Sequence, residues 1–321
     1  MIFSFERQDP ALDIFLQALR DKGIDCEVQT RDRVVVRVFG CLDAQTEALA
    51  NRSGGAPGST PSPGADRSID ADFADAAAPV MIAGPCAIES EEQIEAVVDF
   101  LRRRNIRYIR GGAFKPRTSP DDFQGLGEQG LRIISASARP AGLKIVTEVM
   151  DRSQIEAVCR HADILQVGSR SMFNYTLLTA LGSVDKPVLL KRGMAATVDE
   201  WLQAAEYVSR GGNDRIILCE RGIRTFEPRC RNMLDIAAIA QVRHLSGYPV
   251  VADPSHAAGR RELVVPLALA AAAAGADGLM VELHPDPSTA LSDREQALDF
   301  DQFDTLLKRL AGLRTAREGK A

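Results

Sequence analysis

The sequence PVMIAGPCAIESEEQIEAVVDFLRRR, residues 79–104, holds a short apolar run followed by a longer amphipathic stretch. The apolar run, Val80 to Ala83, has the length of a buried strand, and the stretch from Ser90 to Arg104 has helical periodicity. Together they predict one β-strand followed by one α-helix.

This strand-then-helix unit recurs along the rest of the chain. The apolar runs lie at residues 80–83, 108–109, 144–147, 164–167, 187–190, 216–219, 249–252 and 278–281. Between them lie amphipathic segments such as 199–209, 234–245 and 261–274, and a last helix is expected at 301–313. Eight units over about 235 residues predict an α/β fold of the closed (β/α)8 TIM barrel type. An open, doubly wound sheet is the alternative, and the count of eight favours closure.

Residues 1–50 predict a separate, small α+β unit. Residues 2–5 have the pattern of a strand, and an apolar stripe predicts a helix that begins near Pro10. Residues 26–38 alternate like two paired strands, and residues 43–50 are a candidate second helix. This β-α-β-β-α order predicts a truncated ferredoxin-like unit, because no closing strand is recognisable.

The segments around the barrel differ in composition. Residues 51–66 are rich in glycine, serine and proline, which predicts a flexible linker. Residues 67–78 are acidic and are expected to form a short segment that covers the barrel floor. The catalytic barrel is assigned to residues 79–313, and the tail at 314–321 is expected to fray.

Composition restricts the classes of partner. The chain has 321 residues and a net charge of −5, so it offers no general basic surface for nucleic acid. Its longest apolar run, residues 263–276, is too short and too alanine-rich for a membrane span. The N-terminus lacks the features of a signal peptide, so we expect a cytoplasmic protein with no membrane or nucleic-acid partner. The six cysteines contain no CxxC pair and are expected to be free thiols.

A polar or ionisable group follows every predicted strand. Because barrel enzymes work at the carboxyl ends of their strands, these groups are expected to meet at one mouth. In strand order they are Cys86, Arg110 with Lys115, Glu148, Arg170, Lys191, Glu220 with Arg221, Asp253 with His256, and Glu282. The pattern predicts an active site at that mouth.

The densest cluster of charge is RGGAFKPRTSP, residues 110–120, which holds three cations, two hydroxyl side chains and two adjacent glycines. Its prolines exclude a helix and stiffen the backbone, and its glycines allow a ligand to approach closely. Arginine and lysine make charge-assisted hydrogen bonds to phosphate, so the stretch predicts a site for two phosphorylated anions. The alternative for this stretch is a solvated basic loop. For Arg170 and Arg221, cations that follow other strands, the alternative is that each is simply ion-paired.

A second set of side chains, Cys86, His256 and Glu282, offers soft, borderline and hard donors suited to a transition metal. Asp293, in the loop after the eighth strand, offers a further oxygen. Each residue has an alternative interpretation when it is taken alone. Cys86 is then a buried apolar side chain, His256 a cap or core histidine, and Asp293 a helix cap.

The sequence GLGEQG at 125–130 fits the GxGxxG pattern of dinucleotide-binding folds. That fingerprint must follow a strand directly, whereas the polar stretch 114–124 precedes it here. We therefore interpret it as a tight turn that opens the second barrel helix.

Several motifs together resemble 3-deoxy-D-arabino-heptulosonate 7-phosphate (DAHP) synthases, in the branch shared with 3-deoxy-D-manno-octulosonate 8-phosphate (KDO8P) synthases. They are GPC (84–86), RGGAFKPRTSP (110–120), FQGLG (123–127), LKRG (190–193), LCERGIRT (218–225), DPSH (253–256) and LSD (291–293). The resemblance spans residues 79–313. KDO8P synthases typically carry asparagine and arginine after the lysine that matches Lys115, so Pro116 favours the four-carbon acceptor erythrose 4-phosphate.

The resemblance implies a role for each matching residue. It implies one divalent metal ion, Mn, Fe, Co or Zn, held by Cys86, His256, Glu282 and Asp293. Phosphoenolpyruvate would be bound by Arg110, Lys115, Arg170, Lys191 and Arg221, and erythrose 4-phosphate by Pro116, Arg117, Thr118 and Ser119. The catalytic residues would be Lys115, as proton donor to the forming alkoxide, Glu148, and His256. Either Glu148 or a metal-bound water would activate the attacking water.

The implied reaction condenses phosphoenolpyruvate with erythrose 4-phosphate and water to give DAHP and phosphate. It is the first step of the shikimate pathway to chorismate and the aromatic amino acids. The alternatives are a KDO8P-type synthase using arabinose 5-phosphate and a non-catalytic regulatory barrel subunit. The resemblance also implies a homo-oligomer, a dimer or tetramer, and an aromatic amino-acid effector at residues 1–50, although that unit is shortened here.

Overall fold

The structure, a computed structural model, describes residues 2–5, 10–30, 34–39, 72–73, 78–115, 119 and 121–318. The chain divides into two compact units. One contains the N-terminal elements, and the other contains the barrel. Residues 43–50 and 51–66, predicted as a helix and a linker, lie outside the described residues.

The N-terminal unit has a strand-helix-strand-strand order. Its elements are β1 (Ile2–Phe5), α1 (Pro10–Asp21), β2 (Asp25–Thr30) and β3 (Val34–Phe39). The antiparallel sheet has the order β1-β3-β2, and its core contains Phe5, Phe15, Leu19, Val34, Val36 and Val38. The alternation predicted for residues 26–38 is therefore present as two paired strands.

The second unit contains eight parallel strands that close on themselves. They are β4 (Val80–Gly84), β5 (Tyr108–Arg110), β6 (Lys144–Glu148), β7 (Ile164–Val167), β8 (Val188–Lys191), β9 (Ile216–Glu220), β10 (Val250–Ala252) and β11 (Gly278–Glu282). Strands follow in sequence order around the barrel, and β11 pairs with β4 to close it. The predicted TIM barrel is confirmed.

Helices alternate with these strands. They are α2 (Glu91–Arg103), α3 (Glu128–Ala138), α4 (Ile155–His161), α5 (Tyr175–Leu181), α6 (Val198–Arg210), α7 (Ile236–Leu245), α8 (Pro254–Ala258), α9 (Arg261–Ala273) and α10 (Phe300–Glu318). Helix α10 extends past the predicted end at Leu313 as far as Glu318, and residues 319–321 lie outside the described residues. Within the described part of the chain, no helix combines the length and apolar character that a membrane crossing needs.

The GLGEQG sequence forms a turn before α3, as predicted. Gly125 has a φ of 88°, and Gly127, with a φ of 59°, immediately precedes the helix. A Cβ atom at Gly125 would lie 2.2 Å from the carbonyl oxygen of Ala113. The glycines are therefore required by backbone conformation and close packing, which accounts for them without a dinucleotide.

Phe73 fills the floor of the barrel. Its side chain is buried with inward-facing residues from all eight barrel strands, namely Ile82, Tyr108, Val146, Ile164, Leu189, Ile217, Cys219, Val251 and Met280. Its ring lies 5.7 Å from that of Tyr108, measured between centroids, and a Cβ atom at Gly278 would lie 3.0 Å from it. The segment predicted to cover the floor thus contributes a core side chain, while most of residues 67–78 lie outside the described residues.

Asp72 anchors the Phe73 plug, the side chain that fills the barrel floor, through polar contacts with residues in or next to strands β5 and β6. Its carboxylate accepts a hydrogen bond of 2.5 Å from the Tyr108 hydroxyl, lies 3.4 Å from Lys144 Nζ and pairs with Arg107. Burial alone would raise the pKa of Asp72, but these three partners hold it below the usual value. The ionised carboxylate therefore stabilises the folded state.

Substitution Asp72→Asn should lower the free energy of unfolding by about 1–2 kcal/mol at pH 7. Because the pKa of Asp72 is lowered in the folded state, its contribution is present above the unfolded pKa of about 3.9 and is lost as pH falls through the folded value. The difference between wild type and variant should thus shrink below about pH 4. Urea unfolding at pH 7 and at pH 3, followed by the fluorescence of Trp201, the single tryptophan, measures this difference in stability. An equal difference at pH 7 and pH 3 would contradict this account.

Candidate active site

The four predicted metal donors lie together at the carboxyl end of the barrel. Cys86 follows β4, His256 lies in α8, Glu282 ends β11, and Asp293 lies in the loop after β11. One donor atom from each lies within 4.8 Å of every other. Ligand bonds of about 2.0–2.3 Å place opposite ligands of one ion up to roughly 4.6 Å apart, so the cluster fits a single ion after small adjustments. Its thiol, imidazole and carboxylates suit a transition metal.

The sequence DPSH at 253–256 folds so that His256 is oriented toward this cluster. Pro254 occupies the first position of α8, and Asp253 Oδ1 caps the helix by accepting from the backbone N–H of His256 at 3.0 Å. Asp253 Oδ2 accepts from His256 Nδ1 at 2.8 Å. A carboxylate only accepts, so Nδ1 carries the proton and Nε2 is left with a free lone pair. His256 Nε2 lies 3.2 Å from Glu282 Oε1.

Burial controls protonation in the cluster. It raises the pKa of the Cys86 thiol to about 12, with the nearby Glu282 adding to the shift. It lowers the pKa of His256, which keeps the imidazole neutral as a metal ligand requires. Burial opposes ionisation of Asp293, but the neighbouring cations Arg231 and Lys115 hold its pKa below the usual range. The thiol is therefore the donor whose proton a metal ion would have to displace.

Four of the five cations predicted to bind phosphoenolpyruvate are buried at the same mouth. Arg110, Lys115, Lys191 and Arg221 are each at most 8% exposed. They line one pocket together with Arg170, which is exposed, and with His256 and Asp293 of the donor cluster. The structure therefore brings the two predicted sets of residues into one site.

The buried cations have different partners. Arg110 Nη1 donates to Glu282 Oε1 at 2.7 Å, and Lys115 Nζ lies 3.0 Å from Cys86 Sγ. Lys191 Nζ donates to Asp253 Oδ2 at 2.5 Å. Arg110 Nε is buried without a hydrogen-bond partner among the described residues. Lys115 and Arg110 thus link the pocket to the donor cluster.

Arg221 makes hydrogen bonds to neutral acceptors. Its Nη1 donates to Asn232 Oδ1 at 2.5 Å, and its Nη2 donates to the carbonyl oxygen of His256 at 3.1 Å. Burial lowers the pKa of Arg221. A buried guanidinium held by neutral groups is a favourable contact for an anionic ligand, because the ligand supplies the countercharge.

Glu148 ends β6, two strands around the barrel from β4, and lines the same pocket. Its Oε2 accepts from Gln166 Nε2 at 3.2 Å. A Cβ atom at Gly168 would lie 2.1 Å from Glu148 Oε1, so this position must be glycine for the carboxylate to keep its place. The Gly168 requirement follows from packing between neighbouring strands and is not visible in the sequence.

The four residues predicted to bind erythrose 4-phosphate are described only in part. Pro116, Arg117 and Thr118 lie outside the described residues. Ser119 Oγ accepts from the backbone N–H of Asp121 at 3.2 Å, and the Ser119 carbonyl accepts from Gln124 Nε2 at 3.3 Å. The role of this segment stays a prediction.

Several residues that support the site were not predicted from the sequence. They are Gln166 beside Glu148, and Arg231 and Gln296 beside the carboxylate donors. Arg192, which follows β8, pairs with two carboxylates: its Nη1 donates to Glu220 Oε2 at 3.0 Å and to Asp235 Oδ2 at 2.9 Å. Asp253 was expected at the barrel mouth, but its role as the partner of His256 Nδ1 was not. The DPSH motif was the one available signal, since it places Asp253 three residues before His256.

Comparison with known proteins places this site in a family. The model of the DAHP synthetase I family matches residues 71–318, most of the chain. The chain belongs to the DAHP synthetase I family. A phospho-2-dehydro-3-deoxyheptonate aldolase of Thermotoga maritima is 49% identical over 236 residues, which cover 74% of this chain and 70% of that protein.

Solved structures agree with the family assignment. A crystal structure of phospho-2-dehydro-3-deoxyheptonate aldolase (DAHP synthase) from Thermotoga maritima matches with a TM-score of 0.74 and 37% identity, covering 98% of this chain and 97% of that one. A truncated form of the 3-deoxy-D-arabino-heptulosonate 7-phosphate synthase from the same organism has a TM-score of 0.69 and 44% identity. It covers 74% of this chain and 87% of the other.

The DAHP synthetase I match is accompanied by more distant relatives with another name. A 2-dehydro-3-deoxyphosphooctonate aldolase of Syntrophotalea carbinolica is 36% identical over 251 residues, covering 73% of this chain and 90% of that protein. The predicted resemblance to both branches is confirmed. The higher identity lies with the heptonate enzyme.

Proposed function

We propose that the enzyme is a DAHP synthase, which condenses phosphoenolpyruvate with D-erythrose 4-phosphate and water to give DAHP and phosphate. This is the first step of the shikimate pathway to chorismate. The observation that carries the proposal is the shared mouth of the barrel, where a metal-type donor set adjoins a pocket lined by cations. Two anionic substrates and one divalent ion require that combination.

The metal ion would be held by Cys86, His256, Glu282 and Asp293, whose donor atoms lie within one cluster. The thiol and the imidazole favour Fe, Co or Zn over Mg or Ca, and the two carboxylates also suit Mn. When bound, the ion would act as a Lewis acid toward the aldehyde oxygen of the acceptor. His256 would take part by donating the lone pair of Nε2 to the ion.

Phosphoenolpyruvate would bind to the cations of the pocket, namely Arg110, Lys115, Arg170, Lys191 and Arg221. Its phosphate and carboxylate need several charge-assisted hydrogen bonds, which the guanidinium and ammonium groups that line the pocket can donate. Holding the enol carbon in place converts an encounter of two substrates into a reaction within one site. The same cations stabilise charge that moves onto the departing phosphate.

Bond formation joins C3 of phosphoenolpyruvate to the aldehyde carbon, water adds at C2, and phosphate leaves with the electron pair of its carbon–oxygen bond. Lys115 is placed to give a proton to the alkoxide formed from the aldehyde, because Nζ lies 3.0 Å from Cys86 Sγ and also lines the pocket. Glu148, also at the pocket, is the candidate base for the attacking water.

Erythrose 4-phosphate would bind through Pro116, Arg117, Thr118 and Ser119. Support comes from the Lys-Pro-Arg-Thr sequence at 115–118 and from the higher identity to a heptonate enzyme. The KDO8P-type alternative, with arabinose 5-phosphate, is supported by relatives at 36% identity and below. We further propose a cytoplasmic homo-oligomer, a dimer or tetramer, in which the N-terminal unit is the candidate site for an aromatic amino-acid effector.

Phosphate release from phosphoenolpyruvate tests the reaction and the acceptor together. With erythrose 4-phosphate we expect turnover that EDTA abolishes and Mn²⁺ restores, because the donor cluster would then be refilled. Arabinose 5-phosphate should give much less turnover in a parallel assay. Turnover with arabinose 5-phosphate alone would support the KDO8P alternative, and no turnover with either sugar in metal-loaded protein would support a regulatory barrel.

A further inference from the structure

The two carboxylate donors of the cluster each use only one oxygen toward it. Asp293 Oδ2 lies 3.2 Å from Cys86 Sγ and 3.7 Å from His256 Nε2. Asp293 Oδ1 points away and lies 3.3 Å from Arg231 Nη1. The two oxygens of this carboxylate are therefore in different environments.

Glu282 shows the same division. Its Oε1 lies 3.2 Å from His256 Nε2, while Oε2 accepts a hydrogen bond from Gln296 Nε2 at 2.7 Å. Gln296 Oε1 in turn accepts from Arg231 Nη1 at 3.2 Å. One chain of hydrogen bonds, Arg231–Gln296, thus holds the outer oxygens of both Glu282 and Asp293.

The hydrogen bonds from Arg231 to Gln296 and from Gln296 to Glu282 can run in only one direction. A carboxylate can only accept and a guanidinium can only donate, so the amide of Gln296 has a single workable orientation. Gln296 is 2% exposed. The backbone of Arg231 donates to the carbonyl oxygen of Ala258 at 3.2 Å, and a Cβ atom at Gly259 would lie 2.6 Å from Arg231 Cβ. Gln296 is therefore held inside the barrel mouth, whereas the Arg231 side chain is 38% exposed and is fixed mainly through its backbone and its two hydrogen bonds.

Asp293 needs such support because of its backbone. Its φ is 52°, in the left-handed region that non-glycine residues adopt at some cost. It lies in a loop, whereas Glu282 belongs to a strand. Without an outside contact, the Asp293 carboxylate would be free to rotate or to withdraw with its loop.

We propose that Arg231 and Gln296 are positioning residues that hold Glu282 and Asp293 as one-oxygen ligands of the metal ion. This inference rests on the metal site of the proposed function. Hydrogen-bond partners outside a metal's own ligands typically contribute a factor of about 10–100 in metal affinity. Arg231 also lines the pocket, so a direct contact with substrate is the competing role.

Mn²⁺ titration of protein stripped with EDTA, followed by electron paramagnetic resonance, tests the proposal without turnover. Arg231→Met and Gln296→Met should each raise the Kd for Mn²⁺ about 10–100-fold. Arg231→Lys should give a smaller rise than Arg231→Met, because an ammonium keeps the positive charge and can donate to both oxygens, as the single nitrogen Nη1 does here. Arg229→Met is the matched control, since Arg229 is exposed in the same loop, and its Kd should equal that of wild type.

A double variant makes the test specific for a connected chain. Because each side chain contacts its own carboxylate and the two also contact each other, the double variant should bind Mn²⁺ more weakly than either single variant, but by less than the product of the two single effects. Trp201 fluorescence confirms that each protein is folded. Wild-type Kd in both single variants would overturn the proposal, and so would an unchanged Kd with a raised KM for erythrose 4-phosphate, which would make Arg231 a substrate contact.

The variant Cys86→Ser distinguishes the positioning role of Arg231 and Gln296 from the assignment of the metal site itself. Cys86→Ser should abolish tight Mn²⁺ binding if the cluster is the metal site. If Cys86→Ser binds Mn²⁺ like wild type, the cluster is not the site, and both proposals fail. If it loses binding while Arg231→Met and Gln296→Met retain it, only the positioning role is overturned.

Discussion

Replacing Lys115 with methionine is expected to lower kcat by about 10²–10⁴-fold, the usual contribution of a positioned acid or base. Lys115 is 8% exposed, and its Nζ lies 3.0 Å from both the sulfur and the carbonyl oxygen of Cys86. Methionine keeps the length of the side chain and removes its charge and its protons. The enol carbon and the aldehyde would still meet, but the alkoxide would lack its proton donor.

Phosphate release at saturating substrate, measured together with metal content, checks this result. Lys308→Met is the matched control, because Lys308 is exposed on α10, away from the barrel mouth, and should keep wild-type turnover. Lys115→Met with a full complement of metal and turnover within threefold of wild type would contradict the role of proton donor. Loss of metal together with turnover would instead indicate that Lys115 supports the donor cluster.

The architecture follows from a pattern that is local in sequence. Most barrel strands are short, largely apolar and buried on both faces, so they appear in the sequence as nearly continuous apolar runs, as in Val250–Ala252. Closure of the barrel aligns the carboxyl ends of all strands, which is why Cys86, Arg110 and Glu282 could be assigned to one mouth before their distances were known. A periodic fold thus converts positions along the chain into positions around a ring.

Residues that act through another side chain were not predictable in this way. Gln296 is polar and lies in a loop, where its type and position indicate a solvated residue. Its burial and its bonds to Glu282 and Arg231 depend on two loops from different parts of the barrel. Gly168 is similar, because its requirement arises from Glu148 on the neighbouring strand. Such contacts are set by packing between elements, to which a single sequence gives no direct access.

The floor of the barrel gives an intermediate case. The sequence indicated that residues 67–78 cover it, but nothing in that acidic stretch singled out Phe73 as the side chain that enters the core. The barrel interior needs a large apolar group there because the inward residues Ile82, Tyr108 and Met280 leave room at its amino-terminal end. Phe73 precedes the first strand-helix unit, so the periodic pattern that predicts the barrel does not include it.

Phe73→Ala should therefore lower the free energy of unfolding of the barrel by about 3–5 kcal/mol, the usual cost of a phenylalanine cavity in a core. The ring is 2% exposed and packs against Tyr108 and the strand that begins at Gly278. In a barrel of this size each kcal/mol shifts Tm by roughly 2–4 °C, so Tm should fall by about 10 °C. Urea and thermal unfolding followed by Trp201 fluorescence measure both quantities.

Phe226→Ala separates the effect of the plug from that of losing any phenylalanine. Phe226 is 97% exposed, so the same chemical change there should alter stability by no more than about 0.5 kcal/mol. Because Phe73 lies at the floor and the metal-type donors lie at the carboxyl ends of the strands, the folded fraction of Phe73→Ala should bind Mn²⁺ with wild-type affinity at low temperature. A small loss of stability in Phe73→Ala, similar to that in Phe226→Ala, would show that the barrel closes its own floor without the preceding segment.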